Sequence, residues 1–127
     1  MKKLIFSFSI ILLFSISTVW GQGRCRQVRF QEGQTTAVLK GRVRYHKLFC
    51  YTLKARANQR MTVHVSSPRK DVRLTVEPDV SEDTNALEGA YDVADWEGAL
   101  PENRNYRILV FPRQKGSATF TLEVTIR

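Results

Sequence analysis

Residues 117–126 read SATFTLEVTI, and every second residue in this stretch is apolar. A β-strand places successive side chains on opposite faces of a sheet, so strict alternation indicates a strand with one buried and one exposed face. The residues between the apolar positions are mostly threonines, which are favoured in strands because they are β-branched. The stretch therefore predicts a strand whose core-facing residues are Ala118, Phe120, Leu122, Val124 and Ile126.

The same alternation recurs upstream, in short runs separated by turn residues, and no segment after residue 22 has a helical period. About eight such strands predict an all-β fold, an antiparallel β-sandwich or a small barrel formed by a single domain over residues 22–127. The predicted core-facing sets are Phe49, Tyr51, Leu53 and Ala55; Met61, Val63 and Val65; Val72, Leu74 and Val76; and Tyr106, Ile108 and Val110.

Residues 1–21 have the pattern of a cleaved secretory signal peptide. Lys2 and Lys3 precede a hydrophobic run, and small residues follow at Gly21 and Gly23. The run is short for a helix that spans a bilayer, which disfavours a retained membrane anchor. We therefore expect an exported protein, either periplasmic or secreted.

The chain is basic, with 20 Lys and Arg residues against 12 Asp and Glu residues and a formal charge of +8. Without Lys2 and Lys3 the charge is +6. Such a charge favours an acidic partner, such as an anionic glycan, a phospholipid surface or an acidic protein cleft, although it also serves simply to keep a surface soluble. Export argues against nucleic acid as the partner.

Cys25 and Cys50 are the two cysteines of the chain. In an exported domain of this size, a pair of cysteines predicts a disulfide, which here would close a loop of about 25 residues.

The chain lacks the residue patterns of an enzyme or a metal site. His46 and His64 are the two histidines, and both are predicted mid-strand on the outward face, without zinc-binding spacing. The acidic stretch from Glu77 to Asp95 leaves open the possibility of calcium binding, although the spacing of its carboxylates matches no EF-hand loop. Trp96, in the stretch DWEGALP, is interpreted as a core residue at a sandwich corner. We therefore expect a non-catalytic protein without a cofactor.

Four segments carry a resemblance to a known family: FQEGQTTAVLKGRV at 30–43, YTLKARANQRMTVHV at 51–65, WEGALPENRNYRILV at 96–110 and ATFTLEVTI at 118–126. Their order and spacing resemble the pre-peptidase C-terminal domains of secreted bacterial proteins and the related periplasmic inhibitors of goose-type (g-type) lysozyme. The resemblance implies a jelly-roll-like sandwich. Where the family usually has turn glycines, this chain has Asn58 and Arg104, and the second turn is expected to use Asn103 or Asn105 for its positive φ.

The resemblance implies a binding protein, because a free-standing exported copy fits an inhibitor better than an accessory domain. Such inhibitors push loops into the substrate cleft of lysozyme, where arginines can meet the catalytic carboxylates. Arg113 and Lys115, at the tip of the predicted hairpin PRQKGS, are the first candidates for partner contact, and Tyr45 and His46 are the second. The alternative is an accessory module that binds a glycan or matrix protein through scattered basic residues.

Overall fold

The computed structural model of the protein describes residues 25–80 and 85–127. The predicted signal peptide, residues 1–21, lies outside the described residues. No helix in the described part of the chain is long and apolar enough to cross a membrane.

The fold is an all-β sandwich of two four-stranded sheets, as the alternation predicts. The strands are β1 (Arg26–Gln27), β2 (Thr36–Arg44), β3 (Phe49–Ala55), β4 (Arg60–Ser66), β5 (Val72–Pro78), β6 (Asp95–Ala99), β7 (Arg104–Pro112) and β8 (Ser117–Ile126). Sheet A has the order β1-β3-β7-β5 and sheet B the order β2-β8-β4-β6. Odd-numbered strands thus form one sheet and even-numbered strands the other, so every connection passes between sheets in a jelly-roll-like manner. Each sheet keeps two separate edges, which makes the structure a sandwich and not a barrel.

The core lies between the sheets and is built from the predicted core-facing sets. Met61, Leu74, Tyr106 and Leu122 are fully buried, while Phe49 and Ile126 at strand ends are only partly covered. Burial of an apolar side chain of this size contributes about 1.5–3 kcal/mol. Trp96 is buried on β6, as expected of a core residue, and its indole N–H donates a 2.9 Å hydrogen bond to the carbonyl of Glu88.

The segment from Leu87 to Ala94 covers the β5 edge of sheet A. Leu87 donates to the carbonyl of Val76, Val76 donates to that of Ala90, and Leu74 and Val93 exchange two hydrogen bonds. Val65 of β4 donates to the carbonyl of Ala94, so the same segment also reaches sheet B. An edge strand that is paired in this way offers few free backbone groups to another chain.

The two turns without the usual glycine behave differently. Asn58 has a φ of 69°, as predicted, because asparagine tolerates the left-handed region. The expectation for the second turn is wrong, since neither Asn103 nor Asn105 has a positive φ. The side-chain oxygen of Asn103 instead accepts a 2.7 Å hydrogen bond from the backbone N–H of Ala57, and Arg104 begins β7 directly.

The predicted disulfide between Cys25 and Cys50 is confirmed, with 4.5 Å between the two Cα atoms. It fastens the two-residue strand β1, which pairs in parallel with β3 through Arg26 and Tyr51. The strand predicted around Cys25 is shorter than the alternation indicates. Arg29 is exposed and lies beyond the end of β1, while Val28 packs into the core.

Candidate partner-binding surface

Three connections meet at one end of the sandwich, which we call the loop end. They are the β2–β3 turn (residues 45–48), the β4–β5 loop (residues 67–71) and the β7–β8 loop (residues 113–116). The opposite end carries the β3–β4 and β6–β7 turns. The order and register of the strands determine which of these connections become neighbours.

The β7–β8 loop presents the first two candidate residues to solvent. Its prediction as a hairpin is wrong, because β7 belongs to sheet A and β8 to sheet B, and the two strands do not pair. Arg113 and Lys115 are both exposed, and Gly116 has a φ of 100°, a conformation that other residues rarely adopt. The backbone N–H of Arg113 donates a 2.8 Å hydrogen bond to the carbonyl of Asp71, which ties the β7–β8 loop to the β4–β5 loop.

The Arg113 guanidinium lies 3.7 Å from the carboxylate of Asp92 while its side chain remains 53% exposed. The β7–β8 loop is therefore anchored through its backbone and leaves its cations accessible.

The β2–β3 turn holds the second pair of candidates. His46 is exposed in the turn with a φ of 66°, so its prediction as a mid-strand residue is wrong. The turn is closed by the N–H of Lys47, which donates to the carbonyl of Arg44 at 2.9 Å. The ring of Tyr45 lies 3.9 Å from that of His46, centroid to centroid. Tyr45 is half-buried, so this ring contact gives the exposed imidazole a fixed neighbour.

The two candidate loops adjoin each other. The backbone N–H of Tyr45 donates a 2.9 Å hydrogen bond to the carbonyl of Gly116, because Arg44 and Ser117 are paired at the ends of β2 and β8. Residues more than 65 positions apart in sequence thereby form one surface. We call the exposed cations of these two connections, Arg44, Lys47, Arg113 and Lys115, the basic rim.

The basic rim has little internal neutralisation. Within residues 25–80 and 85–127, Arg113 is the one rim cation that forms an ion pair. Asp71, whose backbone carbonyl binds the β7–β8 loop, has a buried carboxylate that accepts a hydrogen bond from the hydroxyl of Ser67. Exposed cations without anionic partners attract an anionic surface and accelerate association with it.

The opposite end of the sandwich differs in its charge pattern. Arg60 pairs with Glu97 at 2.8 Å, and Arg104 pairs with Glu102 at 2.7 Å. These two cations have carboxylate partners, whereas the exposed Arg56 of the β3–β4 turn forms no ion pair within residues 25–80 and 85–127. Positive charge at this end is therefore neutralised in part.

The acidic stretch does not gather into a cation site in the described part of the chain. Glu77 is buried on β5 and binds Arg107 at 2.6 Å, and Asp79 lies 3.8 Å from the same guanidinium. Two more of the acidic residues considered for calcium, Glu82 and Asp83, lie outside the described residues. Asp92 and Asp95, the remaining two, contact Arg113 and His64 respectively. Where side chains are described, no group of three or more His, Cys, Asp or Glu residues is placed to hold a metal ion.

The two histidines have different surroundings. His64 lies on the outer face of β4, where its Nδ1 contacts the carboxylate of Asp95 across the strand pair. No serine in the described residues is hydrogen-bonded to either histidine. Nucleophilic catalysis by a serine requires a hydrogen bond between the serine hydroxyl and a histidine in the reactive complex. The described residues do not show such a pair.

Sequence reasoning missed three residues of this surface: Lys47, Asp71 and Asp92. Lys47 adjoins the chosen pair Tyr45 and His46, and its charge could have been recognised from that run. The two aspartates approach the β7–β8 loop only through the fold, and no local sequence signal marks them.

The architecture is shared with solved bacterial structures. The crystal structure of Aeromonas hydrophila PliG, a periplasmic lysozyme inhibitor of g-type lysozyme, has a TM-score of 0.65 and 28% sequence identity, and the alignment covers 81% of this chain and 96% of that one. Salmonella Typhimurium PliG, also described as a periplasmic inhibitor of g-type lysozyme, has a TM-score of 0.63 and 19% identity over 83% of this chain and 99% of its own. The pre-peptidase C-terminal domain of a Bacillus anthracis collagenase has a TM-score of 0.58 and 13% identity, with 82% and 95% covered.

These likenesses confirm the resemblance to both groups and the sandwich fold that it implies. No family model matches the chain, and no curated protein matches its sequence.

Proposed function

We propose that this protein is an exported, non-catalytic inhibitor of g-type lysozyme, whose basic rim enters the acidic substrate cleft of the enzyme. The likeness to A. hydrophila PliG is the observation that carries the proposal, because it combines a shared fold with more than a quarter identical residues over nearly all of that inhibitor. In this reading residues 1–21 are removed on export to the periplasm, and residues 22–127 form the single inhibitory domain.

The geometry of the loop end supports this assignment. An inhibitor that blocks a cleft needs a projection with a rigid base, since disordered loops lose conformational entropy on binding. The backbone hydrogen bonds from Tyr45 to Gly116 and from Arg113 to Asp71 give the two loops such a base. The side chains of Arg113 and Lys115 are exposed above it.

The chemistry of the tip suits carboxylates. An arginine can bind a carboxylate through two parallel N–H donors, and such a contact is strongest where water is excluded. Arg113 already lies near one carboxylate, that of Asp92, and is exposed enough to exchange it for another. Lys115 adds a point charge beside it, while Tyr45 and His46 offer aromatic surface of the kind enriched in protein interfaces.

The test is inhibition of cell-wall lysis. The oxidised protein, purified after export from an expression host, would be added to goose-type and chicken-type lysozymes acting on a suspension of bacterial cell walls. We expect stoichiometric inhibition of the goose-type enzyme, with a weaker effect or none on the chicken-type enzyme. Absence of inhibition of the goose-type enzyme at micromolar protein would refute the proposal, and equal inhibition of both would refute its specificity.

A further inference from the structure

A groove lies beside the β4–β5 loop, where this loop passes from sheet B to sheet A, and no residue of the basic rim lines it. It has a volume of about 390 Å³, within the usual range of ligand sites. Its polar lining consists of His64, Ser66, Ser67, Lys70, Arg73 and Asp95. Val65, Val72 and Ala94 supply the apolar part of the wall. We call it the seam groove.

A second cavity adjoins the seam groove on sheet B. It is more open, has a volume of about 720 Å³ and shares Ser66 and Ser67 with the groove. The rest of its lining consists of Lys40, Gly41, Pro68, Thr119, Phe120 and Thr121.

Strand pairing aligns part of this lining in one row, since Lys40 is opposite Thr121 on β8 and Thr121 is opposite Ser66 on β4. Neighbouring strands are about 4.8 Å apart, so this row crosses three strands at regular intervals. The result is a path that combines hydroxyl groups with apolar surface and has cations at each end.

The cations of this path lack anionic partners. No carboxylate in residues 25–80 or 85–127 pairs with Lys40, Lys70 or Arg73. The Nε atom of Arg73 is buried and has no hydrogen-bond acceptor. A buried donor without an acceptor is uncommon in folded proteins, since it loses its hydrogen bonds to water without replacement. An anion in the seam groove would supply one.

One carboxylate also lines the groove, so its cations outnumber its anions by two to one. This carboxylate, Asp95, contacts His64, and these two side chains form a cross-strand pair. Lys70 lies in the β4–β5 loop with a φ of 54°, a left-handed conformation that has some cost in strain. The groove thus presents two serine hydroxyls, an apolar wall and an excess of positive charge.

From this arrangement we propose that the seam groove binds a carbohydrate chain that carries carboxylate groups. Lys70 and Arg73 would bind a sugar carboxylate, and the serine and threonine hydroxyls, which both donate and accept, would bind the sugar hydroxyls along the row toward Lys40. A simple polyanion would use the cations and leave the hydroxyl row without a role. The site shares no residue with the basic rim, although both adjoin the β4–β5 loop, and this proposal does not depend on lysozyme inhibition.

Three probes test the proposal by titration calorimetry and amide chemical-shift mapping: trigalacturonate, the neutral trisaccharide maltotriose, and tripolyphosphate. We expect saturable binding of trigalacturonate with shifts centred on Ser66, Lys70 and Thr121, and weaker binding of the other two probes. Absence of binding, shifts confined to other surfaces, or tripolyphosphate binding as tightly as trigalacturonate would each overturn the proposal.

Variants separate charge from hydroxyl recognition. Lys70→Asn keeps a residue that tolerates positive φ, and together with Arg73→Gln it should weaken trigalacturonate binding about tenfold. Thr121→Val preserves shape and should weaken binding about threefold, the loss of one hydrogen bond. Arg56→Gln, in the β3–β4 turn at the opposite end, is the matched control and should bind as the parent does. Equal loss in Arg56→Gln, or no loss in Thr121→Val, would contradict specific recognition.

Discussion

The indole ring of Trp96 fills the space into which a side chain at residue 98 would project. A Cβ atom added to Gly98 would lie 2.5 Å from Cζ2 of Trp96, closer than nonbonded carbons approach. Both residues face the same side of β6, and the indole is held by burial and by its hydrogen bond to Glu88. The stretch DWEGALP is thus a packing unit in which a glycine accommodates the tryptophan.

Gly98→Ala should therefore destabilise the fold by about 1–3 kcal/mol, the usual cost of overpacking a core position. Urea unfolding of the oxidised protein measures the change. The double variant Trp96→Phe/Gly98→Ala is the control, since phenylalanine lacks the second ring that the new methyl group would strike. We expect the double variant to lose less stability than the two single changes combined. Additive losses would mean that the strain arises elsewhere.

Reduction of the Cys25–Cys50 disulfide should lower the free energy of unfolding by roughly 3 kcal/mol, because the bond closes a loop of about 25 residues in the unfolded chain. The folded protein would also lose the tether of β1, whose remaining contacts include the Arg26 guanidinium 5.8 Å from the Phe49 ring centroid. Urea unfolding with and without dithiothreitol tests this. A Cys25→Ser/Cys50→Ser variant should match the reduced protein and be insensitive to dithiothreitol.

Burial raises the pKa of the Tyr51 phenol, and the nearby Arg26 guanidinium offsets part of that rise. Since the folded state holds this proton more tightly than the unfolded state, its contribution to stability is complete below the ordinary tyrosine pKa of about 10 and is lost as pH rises through the folded-state pKa. Urea midpoints from about pH 8 to about pH 11 should fall more steeply for the parent than for Tyr51→Phe. If the urea midpoints of the two proteins fell equally with pH, Tyr51 would have the same pKa in the folded and unfolded states.

Arg113→Ala should weaken inhibition of goose-type lysozyme about tenfold, the loss expected for a charged anchor at an interface. Lys115→Ala should have a smaller effect, since lysine contributes a hydrated point charge. Arg56→Ala removes the same charge as Arg113→Ala from the opposite end and is the matched control. A similar loss in Arg56→Ala would indicate general electrostatic attraction in place of a specific contact.

Asp92→Asn tests whether Arg113 is restrained by its ion pair. Asparagine tolerates the φ of 52° at this position, so the turn should persist, and the Oδ1 atom of Asp92 is buried without a hydrogen-bond partner. We expect the variant to inhibit lysozyme about threefold more tightly, since exposed ion pairs contribute up to about 1 kcal/mol. Weaker inhibition would mean that Asp92 instead orients the guanidinium for binding.

The strands were predictable because burial on one face leaves a period of two in the sequence. Tyr51, Val63, Ile108 and Leu122 all face the core on that basis alone. Alternation is a poor guide to the ends of a strand that consists of only two residues. For this reason β1 is shorter than predicted. Alternation fails also at His46, since nothing in it marks where a strand gives way to a turn.

The candidate surfaces were predictable only in part. Arg113 and Lys115 could be assigned to a connection because they lie between two clear strands, but alternation does not show that these strands belong to different sheets and form no hairpin. Their proximity to Tyr45 depends on the pairing of β2 with β8. Alternation predicts which face of a strand is buried, but it does not predict which strand lies beside it. The seam groove depends on three strands and a crossing loop, so residues such as Lys40 and Arg73 share no local motif.

The pairing of β2 with β8 also has a consequence for folding during synthesis. Thr36 and Thr125, whose side-chain hydroxyls lie 2.9 Å apart, are 89 residues apart in the chain. Sheet B therefore cannot be completed until the last strand has left the ribosome, and pairings of such high contact order form slowly. The nascent chain would remain open and extended for longer than a chain stabilised by local contacts, a state suited to threading through a narrow translocation channel.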